Sequence, residues 1–291
     1  MKTALVFPGQ GSQFVGMGKD LAEKYLDQAN EILGFDLKKI CFEGPEDELK
    51  KTEITQPAIL TVSVAAFYQL TTNNLQLTTF ALAGHSLGEY SALVAAGSIS
   101  FQDAVKLVHL RGKFIQEAVP AGEGAMAAVL GADNNVIREV CAQVGNVWPA
   151  NFNSPGQVVI SGKKAAVDAA GIKLKERGAK KIIPLAVSAP FHCPLMQPAA
   201  NKLKIELDKI EIKNAQVPVV ANVTGNFVTK GTEIRELLYQ QVTSSVLWED
   251  SVKKMIADGV TSFIEVGPGK VLSGLIKKIA PEAEVKSSLD I

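Results

Sequence analysis

The sequence predicts an α/β protein, a mainly parallel sheet flanked by helices and interrupted by a smaller α+β unit. Three observations carry that prediction. Short apolar runs that read as buried strands alternate with stretches whose apolar residues recur at helical spacing, the order of a parallel sheet with crossover helices. One such run, Thr79–Ala83, ends in Gly84-His85-Ser86-Leu87-Gly88 and passes directly into helical patterning from Glu89. The segment from Gly124 to about Pro194 follows a different order: strand, helix, two strands, helix, strand.

Taken along the chain, Ala4–Phe7 is a short strand that runs into the loop Pro8-Gly9-Gln10-Gly11-Ser12-Gln13. Helices are expected near Asp20–Leu33 and Pro57–Leu70, then the Thr79–Ala83 strand, the helix from Glu89, and a helix over about Phe101–Val119. In the differing segment the strands are Ala125–Leu130, Val147–Asn153, Gln157–Ser161 and Lys181–Val187, and the helices are Asn134–Val144 and Ala165–Arg177. Asn153-Ser154-Pro155-Gly156 joins the middle strands as a turn. This is the order of a ferredoxin-like unit. Residues 125–194 are therefore expected as a ferredoxin-like insert, with residues 1–124 and 195–291 as two parts of one large α/β unit. A helix at Ala199–Ile210, a strand at Val217–Asn222, a helix at Glu233–Val242 and a strand at Ser262–Val266 complete the large unit. The last strand enters the turn Gly267-Pro268-Gly269-Lys270, which lacks the spacing and the Ser/Thr of a phosphate-binding loop.

At 291 residues, 47% apolar and 21% charged, the chain has the composition of an ordinary globular protein. Its formal net charge of zero argues against nucleic acid or an anionic membrane as a main partner. Cys41, Cys141 and Cys193 are too few and too scattered for a disulfide framework or a zinc site. The apolar run Ala4–Phe7 is too short for a secretion signal, and a cytoplasmic setting is expected.

The G-x-S-x-G pattern between a strand and a helix reads as a nucleophile elbow, as in α/β-hydrolase-like cores. Ser86 sits on a tight turn, and the next backbone N–H, that of Leu87, faces the atom under attack. The glycines on either side leave room that a Cβ would fill. An elbow serine needs a general base, and the chain has three histidines. His85 adjoins the serine in the turn, so its ring points away from the hydroxyl. His109 falls on a mixed helix face among Val105, Lys106, Gly112 and Lys113. His192, in Ser188-Ala189-Pro190-Phe191-His192 at the return from the smaller unit, remains, either as the base or as a ring packed at that junction. Esterases of this kind place an acid between serine and histidine, but Asp103, Asp133 and Asp168 all fall in helices or their caps. A backbone carbonyl on Nδ1 would serve instead, giving a dyad. In the Phe101–Val119 helix, Arg111 has Ala104, Leu107, Val108, Ile115 and Ala118 as its same-face neighbours, so it projects from the buried stripe. A guanidinium there needs an anion, supplied by an internal salt bridge or by a carboxylate on the substrate.

These residues lie in a series of blocks: Phe7–Gln13 (FPGQGSQ), Gly84–Glu89 (GHSLGE), Leu110–Pro120, Gly122–Val129 (GEGAMAAV), Asn151–Gly162, Val187–His192 (VSAPFH) and Glu265–Leu272. In order and spacing the chain resembles the acyltransferase family of fatty-acid and polyketide synthesis over nearly its whole length, and within it the malonyl-CoA:acyl-carrier-protein transacylases. The resemblance implies a Ser86 acyl-enzyme with His192 as base, and an oxyanion hole from the backbone N–H groups of Gln10 and Leu87. It also implies a malonyl carboxylate on Arg111, with Phe191 and Met126 beside the substrate. The family's late loop, Pro-Val-x-Trp, stands here as Ser245-Val246-Leu247-Trp248, which would make Leu247 the source of the carbonyl that orients the histidine. The partners implied are malonyl-CoA and an acyl carrier protein, with Lys180-Lys181 and Lys277-Lys278 as weak candidates for a docking surface. No cofactor or metal is implied, the CoA thioester being a substrate. The competing reading is a thioester hydrolase or esterase, or an acyltransferase of other acyl specificity, built on the same serine and histidine.

Overall fold

The computed structural model describes residues 2–73, 78–120, 122–187 and 189–290. From β1 (Lys2–Phe7) the chain passes through α1 (Glu23–Leu33), α2 (Leu37–Glu43), α3 (Glu46–Leu49) and α4 (Thr52–Asn73) to β2 (Thr79–Gly84). Helices α5 (Leu87–Ala95) and α6 (Phe101–Ala118) follow. Next come β3 (Gly124–Leu130), α7 (Asn134–Val144), β4 (Val147–Ser154), β5 (Gln157–Lys163), α8 (Lys164–Glu176) and β6 (Lys181–Pro184). The chain then adds α9 (Gln197–Leu207), β7 (Val219–Val220), β8 (Phe227–Val228), α10 (Gly231–Gln241), α11 (Trp248–Ala257), β9 (Val260–Glu265), α12 (Val271–Ile279) and β10 (Glu284–Ser287).

Two sheets result. The larger has the order β10-β9-β1-β2-β7-β8, with every pairing parallel except that of β8 with β7. The smaller has the order β4-β5-β3-β6 and is antiparallel throughout, with α7 and α8 packed on one face. Helices cover both faces of the larger sheet, so its central strand β1 is an unbroken apolar run, Ala4–Phe7, without the alternation of a half-wet strand. Helix α4 is buried along most of its length for the same reason: α1, α5 and α6 all pack against it.

Most strands and helices expected from periodicity are present. Two strands are shorter than expected: Lys181–Val187 stops at Pro184, and Val217–Asn222 reduces to Val219–Val220 after Pro218. A proline offers no N–H to a ladder, so it tends to bound a strand. The sequence reading contains no helix at α2, α11 or α12. Of these, α2 starts on Asp36, whose carboxylate accepts from the Lys39 N–H at 3.0 Å.

The register of the larger sheet sets Phe7 opposite Gly84. The loops after β1 and β2 are thereby neighbours at the carboxyl edge of the parallel strands, the usual ligand edge of open α/β sheets. They approach so closely that a Cβ on Gly84 would lie 1.9 Å from the Gly88 backbone, and one on Gly88 would lie 2.0 Å from the Phe7 carbonyl oxygen. Backbone cannot swing aside as a flexible side chain can. Gly84→Ala is therefore expected to lower the free energy of unfolding by about 3 kcal/mol or more, seen as a drop in the urea midpoint. A loss under about 1 kcal/mol would show that the turn relaxes around an added methyl.

Candidate active site

The close contact of the two glycines produces the turn on which Ser86 sits. Its φ is 51° and its ψ −105°, backbone space that side-chain-bearing residues rarely occupy. The strain is held by hydrogen bonds from outside the turn. The Ser86 N–H donates to Asn222 Oδ1 at 2.7 Å, the Ser86 carbonyl accepts from Gln241 Nε2 at 3.1 Å, and the His85 N–H donates to the Phe7 carbonyl at 3.1 Å. Leu87 opens α5, so its N–H has no acceptor within the helix, and the residue lines the space above the serine. Gln10, from the β1–α1 loop, lines the same space.

His192 meets the serine from the return loop, itself at a positive φ of 57°. Its Nε2 is 2.8 Å from Ser86 Oγ, and its Nδ1 is 2.8 Å from the Gln241 carbonyl oxygen. A carbonyl only accepts, so Nδ1 carries the proton and Nε2 presents its lone pair to the serine hydroxyl. The tautomer that a general base needs is thus fixed without an acid. Burial first, and the nearby Arg111 charge second, push the imidazole down to about 3. The ring is neutral at neutral pH.

Here the sequence reading is corrected. The orienting carbonyl belongs to Gln241, at the end of α10, and not to Leu247. Leu247 caps α11, and its carbonyl already accepts from the Ser251 N–H at 2.9 Å and the Ser251 hydroxyl at 2.7 Å. Asp103 lies in the first turn of α6 and accepts from the Ser100 hydroxyl, Asp133 caps α7, and Asp168 pairs with Lys164, so none approaches the histidine. The His85 ring does point away from the hydroxyl, with Nε2 2.8 Å from Asn153 Oδ1 and its edge on Trp248. His109 lies half-buried on its mixed face, with Nδ1 2.9 Å from the Glu53 carbonyl oxygen and its ring beside Phe35, away from the serine.

Arg111 is 1% exposed. One terminal nitrogen donates to Gln56 Oε1 at 2.9 Å, and the other to Gln241 Oε1 at 3.0 Å and Ser86 Oγ at 3.1 Å. The Tyr90 ring lies 5.5 Å from the guanidinium carbon, within cation–π range. Every one of these acceptors is neutral. Among the described residues no carboxylate lies within ion-pair distance of it, so the internal salt bridge left open by the sequence is not formed.

Sequence reasoning missed the residues that bind these parts together. Gln241 touches four of them: its carbonyl holds His192, its Oε1 holds Arg111, and its Nε2 reaches the Ser86 carbonyl and Glu89 Oε2, the latter at 2.7 Å. Asn222 ties Gly84 to Glu89, donating from Nδ2 to the Gly84 carbonyl and from its N–H to Glu89 Oε2. Within the block Gly84–Glu89, only Glu89 was available as a signal, as a carboxylate one turn after the serine on an apolar helix. The pocket over Ser86 holds about 190 Å³ and is completed from the smaller sheet by Met126, Asn151 and Val159, and from the return loop by Phe191. That is below the range of cavities for drug-sized ligands and suits a group of a few carbons. Among the described residues no cluster of three His, Cys, Asp or Glu could hold a metal, and no helix is long and apolar enough to cross a membrane.

The model of the acyl transferase domain family matches residues 4–288. The malonyl CoA-acyl carrier protein transacylase of Bacillus subtilis is 52% identical over 96% of this chain and 90% of its own length. That of Escherichia coli is 52% identical over 95% and 92%. Among solved structures, an acyl carrier protein S-malonyltransferase from Vibrio cholerae superposes with a TM-score of 0.96 at 46% identity, covering 100% of this chain and 99% of that one. A malonyl-transacylase in complex with a type II PKS acyl-carrier protein gives 0.94 at 46% identity, over 99% and 95%.

Because burial lowers the His192 proton affinity, the ring's contribution to stability is full above the ordinary imidazole range and is lost as pH falls below it, where only the unfolded ring takes a proton. In an imidazole NMR titration, the signals absent from His192→Ala should show an Nδ1-protonated neutral ring with no inflection between about pH 5 and 8. A midpoint near the ordinary histidine value would contradict the burial seen here.

Proposed function

The chain belongs to the acyl transferase domain family, and we infer that it moves a malonyl group from malonyl-CoA to the phosphopantetheine thiol of an acyl carrier protein through an ester on Ser86. The observation that carries this reading is a buried cation whose direct hydrogen-bond partners are all neutral, 3.1 Å from the nucleophile. A guanidinium in that position completes its pairing when the acyl group brings a carboxylate.

The reaction has two halves of one form. His192 Nε2 takes the Ser86 proton, and Oγ attacks the thioester carbonyl. The tetrahedral oxyanion lies toward the backbone N–H groups of Leu87 and Gln10, donors of a kind that contribute about 3 kcal/mol each to the transition state. The C–S bond breaks and His192 returns the proton to the CoA sulfur. In the second half the carrier thiol gives its proton to His192 and attacks the Ser86 ester; the S–C bond forms, the Oγ–C bond breaks, and His192 returns the proton to Ser86 Oγ as the malonyl carrier leaves. Arg111 holds the distal carboxylate throughout, and its contact with Oγ also favours the alkoxide that develops there. Phe191 and Met126 bound the pocket on the side of the α-carbon, where Phe191 limits branching. The smaller sheet with α7 and α8 is read as a ferredoxin-like insert over residues 125–194, closing the pocket of a hydrolase-like core. No step calls for a cofactor, and a cytoplasmic setting fits the substrates.

Mass spectrometry of the intact protein after exposure to malonyl-CoA should show one malonyl adduct, absent from Ser86→Ala and discharged by carrier thiol. Discharge equally fast without the carrier would favour the hydrolase reading. Arg111→Ala should lose about 100-fold or more in kcat/KM for malonyl transfer while acetyl transfer changes far less, the worth of a buried charge-assisted pair. Equal losses for both donors would assign Arg111 to the scaffold alone.

A further inference from the structure

Glu89 is a titratable group of the site that the reaction above does not use. It lies in the first turn of α5, three residues after Ser86, and is 2% exposed. Its Oε2 accepts from Gln241 Nε2 at 2.7 Å and from the Asn222 N–H at 3.1 Å. Among the described residues, the charged group acting on it is Arg111, reached across the Gln241 amide, whose Oε1 accepts from the guanidinium at 3.0 Å. One amide thus joins a buried anion to a buried cation with the right polarity at both ends. The remaining titratable neighbours do not change charge near neutrality: desolvation holds His192 and His85 neutral on the acid side, and holds the Tyr90 phenol up at about 12.

We propose that Glu89 is the counter-ion of Arg111 in the unloaded enzyme and takes up a proton from solvent when a malonyl carboxylate arrives on the guanidinium. The proposal rests on the malonyl reading above. One buried cation balances one anion; a second beside it would leave a net negative charge among buried groups, which is costly unless one of the two is neutralised. Glu89 is the group ready to neutralise, because its burial already raises it to about 7. Protonation on Oε1 leaves both acceptor bonds of Oε2 in place, so Gln241 and Asn222 need not move. Acyl transfer itself is proton-neutral: the Oγ–C bond forms, the C–S bond breaks, and the serine proton leaves on the CoA sulfur. Any net uptake beyond the ionisation of the free thiol is therefore additional to the chemistry. By linkage, loading with malonyl gains on loading with acetyl as pH falls from about 8 to 6.

In weakly buffered solution near pH 7 with an indicator dye, malonyl-CoA is expected to draw roughly 0.3 to 0.5 proton more per acyl-enzyme formed than acetyl-CoA does. The released thiol is common to both and cancels. Glu89→Gln, with the same shape and no charge to change, should still form the malonyl ester at a reduced rate, with the proton difference abolished. An ester that forms without extra uptake, or extra uptake that survives in Glu89→Gln, overturns the assignment and leaves the transferase reading intact. Absence of any malonyl ester overturns the transferase reading, and this proposal with it. If Glu89→Gln does not fold, the wild-type difference between the two donors decides alone, its presence supporting the proposal and its absence overturning it.

Discussion

The buried charge of Arg111 is the constraint around which the rest of the site is arranged. A guanidinium cannot shed its proton in a protein, and desolvation makes that charge expensive to hold. The structure meets the cost with two glutamine oxygens, a serine oxygen, an aromatic face and one carboxylate beyond an amide. These partners come from α4, the elbow, α5 and α10, so the cation also fixes how those elements stand to one another. Gln241 shows the consequence. Its side chain is held at both ends by charges of opposite sign, which settles the position of its own backbone carbonyl, and that carbonyl sets the tautomer of His192.

The second constraint is steric, and it precedes the first along the causal chain. β1 and β2 are neighbours in register, and Gly84 and Gly88 bring the backbone of the elbow against the end of β1 at distances no Cβ would permit. This places the Gln10 loop beside Ser86 and turns Ser86 into unfavourable φ/ψ space. Asn222, arriving from the end of β7, accepts the serine N–H and holds it there. The small parallel pairing of β7 with β2 accordingly carries a weight that its two residues do not suggest.

How much of this was legible in the sequence depended on whether a side chain or a backbone carried the function. Ser86, His192 and Arg111 act through their side chains, and each announced itself: by the elbow pattern, by elimination among three histidines, and by a charge on an apolar helix face. The structure brings both His192 and Arg111 within hydrogen-bond reach of Ser86. The succession of strands and helices was readable for the same reason, since burial acts on side chains and leaves apolar runs and helical spacing in the sequence. The orienting carbonyl was not readable. Any residue has one, so Gln241 carried no signature in Gln240-Gln241-Val242, and the expectation settled six residues downstream at Leu247. The short strands β7 and β8 were equally obscure, because two residues show no period. Glu89 was visible as a letter, but its meaning depends on Asn222 and Gln241, far away in sequence.

The same geometry argues for the length of the acyl group as well as its charge. The nitrogen of Arg111 that touches Ser86 Oγ at 3.1 Å is also the one shared with Gln241. On the malonyl reading proposed above, a single methylene separates the ester carbonyl on Oγ from the distal carboxylate, a span short enough to keep that carboxylate beside the guanidinium. Each further methylene would carry the carboxylate about 1.3 to 1.5 Å farther from Oγ, and so from the nitrogen that touches it. A neutral acyl group of the same size fits but leaves the cation to its neutral partners and to Glu89. On that reading the arginine would discriminate on both sides of the malonyl group, against longer diacids by distance and against acetyl by charge, with the serine–arginine contact joining the two tests.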